Sequence, residues 1–317
     1  MELTTHHDLR IAVLDTSDVA SGGALEHTGD ADLLRVVDPT PEQYAELIPH
    51  GFLFKPQWLF WTRPVYSTLD AYLDTLRPRM RKSTRHAIRQ TESGHRLEVE
   101  EAVDPARLDT WFALYERHIA SLPRGTLYAA EDLEWFRTHP DQVVGIYLYS
   151  GDRMVAGLLC MKVPRHRMLR MTYYACDPDH PDQGTTRYMY VQAGVVAAEL
   201  GHEVLSAGAD PNFYGHDIAT GLYLLKRRLG FRADPLWRYE ADDPPVLEKV
   251  LSLDRCEDPS FCVAYGDYDV RRAPLTGYVL SRTPAPATHP FHAPMLASVV
   301  PHHISDRRGD NRPCPDC

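Results

Sequence analysis

The sequence predicts an α+β fold in which a mixed, mostly antiparallel central sheet is flanked by helices. The first observation is composition: 44% of the 317 residues are hydrophobic and 25% are charged, as in a globular chain with a buried core. The second is a change of pattern along residues 143–240, from strand-like alternation to helical spacing. Antiparallel strands that pass into alternating helices and strands indicate this fold class.

The second half of the chain carries the clearest elements. Residues 143–149 and 154–163 flank the turn Ser150-Gly151-Asp152-Arg153 and therefore predict a β-hairpin. Glycines follow both predicted helices of this half, as expected at helix C-termini. The further predicted elements are strands at 168–175, 204–207 and 237–241, and helices at 186–199 and 220–229.

The first half predicts shorter elements around an aromatic run at 52–61, which has the bulk for a core or a pocket wall. Thr40-Pro41-Glu42 is typical of a helix start. Pro78 predicts either a break in one helix or the start of a second. The predicted elements are strands at 10–14, 33–37 and 97–101, and helices at 39–49, 69–90, 105–122 and 131–138.

Charge and targeting signals narrow the function classes. A net charge of −10 makes general nucleic-acid coating a poor hypothesis, although a local basic face remains compatible with RNA contact. The six cysteines are sparse, the first residues lack a signal peptide, and no run of about 20 apolar residues occurs. We therefore expect a cytoplasmic protein with reduced thiols and no membrane partner. The sequence leaves the oligomeric state open.

Three stretches resemble one family in their order and spacing. The first is the helix from Tyr72-Leu73 to Arg89, the second is the hairpin Gly151–Gly157, and the third runs from Tyr173 to Phe231. The third ends on Tyr223, Lys226 and Gly230-Phe231, similar to a "Y..K..FG" signature. Together they resemble the GNAT acyltransferase superfamily in its FemAB-type branch.

The resemblance covers roughly residues 65–240 and implies a GNAT-like fold and acyl transfer. We therefore expect an N-terminal extension or partial subdomain at 1–64 and a GNAT-like domain at 65–245. A C-terminal extension would occupy 246–317. Pro, His and Arg dominate its later part, so 301–317 is expected to be poorly ordered.

The donor-binding loop departs from the family's usual pattern. CoA-using members usually carry a glycine-rich loop whose backbone N–H groups face the pyrophosphate. Residues 179–187 instead read Asp-His-Pro-Asp-Gln-Gly-Thr-Thr-Arg, with one glycine and two acidic residues. Acidic side chains beside a pyrophosphate are unfavourable. The resemblance therefore favours aminoacyl-tRNA as donor and the amine of a small molecule or peptide as acceptor. An acyl-CoA donor with a degenerate loop and a non-catalytic GNAT-like binding protein are the alternatives.

Acyl transfer to an amine needs deprotonation of the amine, stabilisation of an oxyanion and alignment of the donor. The resemblance implies that Lys226 neutralises charge near the ester carbonyl; the alternative is a surface lysine in a basic helix end. His216 is a candidate base and Tyr174 a candidate acid. Asp210 and Asp217 lie in the same loop as His216. The alternatives are turn and N-cap roles for the aspartates and core packing for Tyr174.

A basic segment is the candidate donor-binding surface. The spacing of Arg81, Arg85 and Arg89 by four residues puts them on one helical face. Such a face fits RNA backbone or a phosphorylated ligand, and the alternative is a solvated helix face. The candidate donor-binding residues are Arg77, Arg81, Lys82, Arg85, Arg89, Arg187 and Arg227.

No metal site and no resident cofactor are expected from the sequence. His302-His303 and the Cys314-Pro315-Asp316-Cys317 terminus offer ligand types for zinc, but they include only one Cys-x-x-Cys. A covalent acyl-enzyme on Cys160 or Cys176 is the alternative to two buried structural cysteines, which apolar strands favour.

Overall fold

The computed structural model describes residues 1–15, 31–180, 184–240 and 243–305. The chain divides into two compact units. Unit 1 comprises Met1–Phe60, Ala209–Leu225 and Ala233–Cys317, and unit 2 comprises Trp61–Gly208 and Lys226–Arg232.

The described residues form both strands and helices. The strands are β1 (Glu2–His6), β2 (Leu9–Val13), β3 (Leu33–Val37), β4 (Leu53–Lys55), β5 (Trp58–Pro64), β6 (Arg96–Glu100), β7 (Val143–Ser150), β8 (Arg153–Val163), β9 (Met168–Cys176), β10 (Val204–Pro211), β11 (Arg232–Pro235), β12 (Val246–Val250), β13 (Ser260–Tyr265), β14 (Leu275–Ser281) and β15 (Leu296–His303). The α-helices are α1 (Pro41–Leu47), α2 (Leu69–Thr75), α3 (Pro78–Gly94), α4 (Pro105–Ala120), α5 (Ala129–Thr138), α6 (Thr185–Glu199) and α7 (Thr220–Arg228).

The central sheet confirms the predicted α+β fold. Its strand order is β11-β5-β10-β9-β8-β7-β6. The pairs from β6 to β9 are antiparallel, with Val144 opposite Cys160 and Leu158 opposite Tyr174. β10 pairs with β9 in parallel, with Leu205 opposite Leu169. The antiparallel meander therefore passes into an α/β unit, because α6 connects these two parallel strands.

One hydrophobic cluster of unit 2 joins this sheet to the helices α4 and α5, which precede β7. Trp111 of α4 is buried and stacks on Tyr115, with ring centroids 5.1 Å apart. A Cβ atom at Gly157 would lie 2.3 Å from the Trp111 ring. A glycine is required at this point of β8 because the indole occupies the space of a side chain.

Two helices, rather than one, occupy the segment that contains Pro78. Thr68 caps α2 by accepting a hydrogen bond from the amide of Ala71 at 3.1 Å. Leu76 is extended, and Pro78 is the first residue of α3, where its missing N–H costs no helical hydrogen bond.

Unit 1 contains two smaller sheets, ordered β1-β2-β3-β12-β4 and β13-β14-β15. Phe52 and Phe54 of the aromatic run are buried, as expected for core residues. Lys55 and Glu248 form a buried ion pair at 2.7 Å. The strands β12 to β15 were not predicted. In β13 every residue is buried, which gives a short apolar run without alternation.

The predicted strand at 237–241 is wrong over its described residues. The extended segment ends at Pro235, and Leu236–Arg238 form a 3-10 turn. The amide of Tyr239 bonds back to the carbonyl of Leu236 at 2.8 Å, and Arg238 pairs with Asp234 at 2.7 Å. These local bonds stabilise a turn at the point where the predicted strand would have formed backbone hydrogen bonds with a neighbouring strand.

Some predictions fall on residues that the structure does not describe. These are the middle of the donor loop (181–183) and residues 306–317 with Cys314 and Cys317. Pro301–His303 of the last segment lie in β15. No helix among the described residues is long and apolar enough to cross a membrane.

Candidate active site

The donor loop begins immediately after β9 with a buried aspartate. The side chain of Asp177 contacts the guanidinium of Arg153 and lies 3.5 Å from that of Arg117. It also accepts a hydrogen bond from the amide of Asp179 at 3.1 Å, and its carbonyl accepts one from the amide of His180 at 3.1 Å. Two amides at the start of the loop are therefore bonded within the loop itself.

Two of the predicted site residues, Tyr174 of β9 and Arg187 of α6, make side-chain contacts near the start of α6. The hydroxyl of Tyr174 lies 3.1 Å from that of Thr186, and Arg187 donates a hydrogen bond to Ser83 at 2.6 Å. Burial, with a smaller effect of Cys176, raises the pKa of Tyr174 well above its ordinary value. The phenol therefore stays protonated at neutral pH and can donate a hydrogen bond to an anion.

Lys226 is a buried lysine of unit 2. Its side chain is enclosed, with 2% of the residue exposed, and its ammonium donates a hydrogen bond to the carbonyl of Ala207 at 2.8 Å. The ammonium also lies 5.8 Å from the ring centroid of Trp61. The exposed residue at this helix end is Arg228. The hydrogen bond to the carbonyl of Ala207 holds the ammonium in a defined position.

The other two predicted catalytic residues lie in unit 1. Asp210 is buried and accepts a hydrogen bond from the hydroxyl of Tyr214 at 3.1 Å. The two ring nitrogens of His216 lie 2.8 Å from a carboxylate oxygen of Asp8 and 2.7 Å from one of Asp217. His216 is therefore held between two carboxylates.

The predicted basic face exists on α3. The side chains of Arg81, Lys82, Arg85 and Arg89 line an open cleft of about 320 Å³ together with Pro78. Arg81 pairs with Asp74 at 3.1 Å and Arg85 with Asp70 at 3.2 Å, and both pairs are solvent-exposed. Exposed ion pairs of this kind contribute little to the stability of the fold, so their arginines can exchange the aspartate for a phosphate of a polyanion. Arg77 precedes this helix, and Arg227 lies in the last turn of α7.

Arg63 is a buried cation that the sequence did not single out. Its guanidinium lies 4.0 Å from the ring centroid of Tyr72 and 5.3 Å from that of Phe231. Burial lowers its pKa. With Tyr66 and Thr68 it lines a second cavity of about 320 Å³. The sequence did offer one signal for the burial of Arg63. Arg63 lies two positions after Trp61 in an apolar strand, and alternation places both side chains on the same face of that strand.

The thiol of Cys160 is unsuited to covalent catalysis. Cys160 is fully buried in β8, and burial raises the pKa of its thiol. A thiol rather than a thiolate is therefore present at neutral pH, and the residue matches the structural alternative. Cys176 at the end of β9 is half-buried, and neither cysteine forms a disulfide.

A family model described as acetyltransferase (GNAT) domain matches residues 78–215. A search of curated proteins gave no match.

Similar solved structures include the C-terminal domain of a putative lysylphosphatidylglycerol synthetase from Agrobacterium fabrum, at 13% identity and a TM-score of 0.43, over 77% of this chain and 79% of that one. FemX matches at 13% identity and a TM-score of 0.45, over 78% of this chain and 83% of that one. L-PGS from Bacillus licheniformis matches at 13% identity and a TM-score of 0.42, over 78% of this chain and 79% of that one. Similarities of this size carry no conclusion about substrates.

The family model spans α3, the antiparallel meander, the donor loop and β10, and it ends before the Tyr223–Phe231 signature. The chain therefore contains a GNAT domain over residues 78–215, and the resemblance to this acyltransferase superfamily is confirmed.

Proposed function

We propose that this GNAT protein forms an amide bond by transferring an aminoacyl group from aminoacyl-tRNA to the amine of a small molecule or peptide. The observation that carries the proposal is the cleft on α3, which four cations line in a chain of net charge −10. A local basic face on an acidic protein fits a polyanionic ligand that must be recognised at one place.

The donor loop supports tRNA over CoA. A pyrophosphate at the start of α6 would need backbone N–H groups directed at it. The amides of Asp179 and His180, at the other end of the donor loop, are bonded to Asp177 and do not supply such groups. An aminoacyl ester on a ribose brings no pyrophosphate to this loop, so it does not need those donors.

The proposed reaction uses the cation and the phenol of unit 2. The amine nitrogen attacks the ester carbonyl carbon, and negative charge develops on the carbonyl oxygen. The positive charge of Lys226 stabilises that oxygen. The C–N bond forms as the ester C–O bond breaks, and the ribose oxygen takes a proton, for which the protonated hydroxyl of Tyr174 is the proposed source.

The amine releases its proton to solvent as the amide forms. Asp210 belongs to unit 1, where its carboxylate accepts a hydrogen bond from the hydroxyl of Tyr214. His216 is held by Asp8 and Asp217, which makes it a member of a separate cluster.

An acyl-CoA donor is the second candidate, and the observation that favours it is the description of the matching family model as an acetyltransferase domain. The two are separated by incubating the protein with a panel of charged tRNAs and a panel of acyl-CoAs, each with a mixture of amines. Mass spectrometry of the products should show an amide that appears only with charged tRNA. Amide formation from acyl-CoA without tRNA would contradict the proposal.

A further inference from the structure

Three histidines and an aspartate of unit 1 form a compact group that we call the histidine cluster: His6, His7, His216 and Asp217. A carboxylate oxygen of Asp217 lies 2.6 Å from Nε2 of His6. Its other oxygen lies 3.9 Å from Nε2 of His7 and 2.7 Å from Nδ1 of His216. Three imidazoles therefore surround a single carboxylate.

The local backbone explains why two consecutive histidines face the same group. His6 is the last residue of β1, and successive side chains of a strand point to opposite faces. His7 leaves the strand with a φ of 52°, in the left-handed region. This turn ends the alternation, and the rings of His6 and His7 lie with centroids 4.7 Å apart.

Asp8 holds one ring of the cluster in a defined orientation. Its carboxylate lies 2.8 Å from Nε2 of His216. A proton on Nε2, donated to Asp8, leaves Nδ1 as the lone-pair nitrogen directed at Asp217. Carboxylate–histidine pairs of this kind orient metal-ligating imidazoles in proteins.

We propose that the histidine cluster binds one divalent transition-metal ion of the zinc class. One ligand atom each from His6, His7 and Asp217 lies within 4.8 Å of the other two. Four ligand atoms around zinc at about 2.0–2.1 Å lie roughly 3.3 Å apart, so small side-chain rotations bring these atoms to one ion. His6 and Asp217 have room to move, because their side chains are 49% and 20% exposed. Nδ1 of His216 is the proposed fourth ligand, because it lies 2.7 Å from a carboxylate oxygen of Asp217.

The ligand set selects the metal. Imidazole nitrogens with one carboxylate oxygen suit zinc and its neighbours, whereas magnesium and calcium prefer oxygen ligands throughout. The ion would fasten the turn between β1 and β2 to the loop before α7. Every residue of β1 is exposed, so this strand has little other burial to hold it. The role is structural, and it does not depend on the proposed acyl transfer.

The test is zinc stoichiometry of the full chain, prepared without a polyhistidine tag, stripped with a chelator and dialysed against zinc. Elemental analysis should find about one zinc per chain, and zinc should raise the melting temperature while magnesium does not. Cobalt should give the visible absorption of a tetrahedral site. His7→Ala should lose the bound ion. Its control, His50→Ala, removes an exposed histidine of the same unit and should retain the ion.

Two further variants make the outcome decisive. Asp8→Asn should weaken zinc affinity about 10- to 100-fold, because Asp8 positions His216 rather than touching the ion. Cys314→Ser/Cys317→Ser should leave the stoichiometry unchanged. The proposal is overturned if zinc does not bind, if His7→Ala binds as much zinc as the wild type with an unchanged circular dichroism spectrum, or if the cysteine variant loses it.

Discussion

The ammonium nitrogen of Lys226 lies 2.8 Å from the carbonyl oxygen of Ala207, and both residues are buried in unit 2. The carbonyl belongs to β10, and the lysine to the last turn of α7. The C-terminal end of α7 is basic, and it places the ammonium of Lys226 inside the protein. This relationship distinguishes Lys226 from Arg228 two residues later, which is exposed.

Replacing Lys226 with methionine should remove the cation and retain most of the side-chain volume. We expect kcat/KM for amide formation to fall by about 100-fold or more, which is typical of losing one oxyanion-stabilising group. Unfolding free energy should fall by about 1–3 kcal/mol, because the buried carbonyl of Ala207 loses a donor. Steady-state kinetics measure kcat/KM, and urea denaturation measures the free energy of unfolding.

Arg228→Met is the matched control for that substitution, since it removes an exposed cation from the same helix end. It should leave both quantities nearly unchanged. A Lys226→Met variant with undiminished kcat/KM would remove Lys226 from the mechanism. A loss of activity that merely follows the loss of folded protein would do the same.

The cleft on α3 should bind RNA through its charge. In Lys82→Gln/Arg89→Gln, tRNA affinity should fall, and the slope of log affinity against log salt should become shallower by about 1.5. Fluorescence anisotropy with labelled tRNA at several salt concentrations measures both. Arg271→Gln, at an exposed position of unit 1, should change neither. An unchanged salt slope in the double variant would show that the cleft does not contact the RNA.

The packing of Arg63 against α6 predicts a stability difference between two glycine substitutions. A Cβ atom at Gly194 would lie 2.2 Å from Nη2 of Arg63, and that guanidinium is held on the ring of Tyr72. Gly194→Ala should therefore destabilise by about 1–3 kcal/mol. Gly221→Ala, in α7 with no atom within 4 Å of the added carbon, should stabilise by about 0.4–1 kcal/mol. Urea unfolding that ranks the two variants in the opposite order would contradict this packing.

Asp243 predicts a pH dependence in unit 1. Burial raises the pKa of its carboxyl to about 6, although Lys55 and the amide of Trp58 lower it in part. The folded pKa exceeds the unfolded one, so the folded state binds this proton more tightly. The stabilising contribution is complete below about pH 4 and is lost as the pH rises through 6.

Asp243→Asn imitates the protonated form and tests this sign. Unfolding free energy should rise by about 1–2 kcal/mol at pH 7.5 and change little at pH 4. Glu46→Gln removes one charge from an exposed position of α1 and should show no such pH-dependent gain. An equal effect of Asp243→Asn at both pH values would show that this carboxyl does not titrate near 6.

The spacing of hydrophobic residues and the positions of helix-breaking residues predicted much of unit 2. Alternation located the hairpin that β7 and β8 form, and a single proline separated α2 from α3. The basic face on α3 followed from spacing by four residues, since helix geometry alone decides which side chains share a face.

Long-range contacts account for what was missed. The histidine cluster joins residues 6–7 to residues 216–217, and no local spacing relates them. Burial of Lys226 was equally invisible, because its neighbours in sequence are basic and its partner is a main-chain carbonyl. The strands of unit 1 after residue 245 include one that is buried throughout, which removes the alternation that identifies a strand.

The most direct test of the proposed donor is transfer of a labelled aminoacyl group to an amine from three sources. These are intact aminoacyl-tRNA, the aminoacyl-adenosine left after nuclease digestion of that tRNA, and acyl-CoA. We expect rapid, salt-sensitive transfer from intact tRNA, much slower transfer from aminoacyl-adenosine, which lacks the phosphates for the α3 cleft, and none from acyl-CoA. Transfer from acyl-CoA alone would contradict the account.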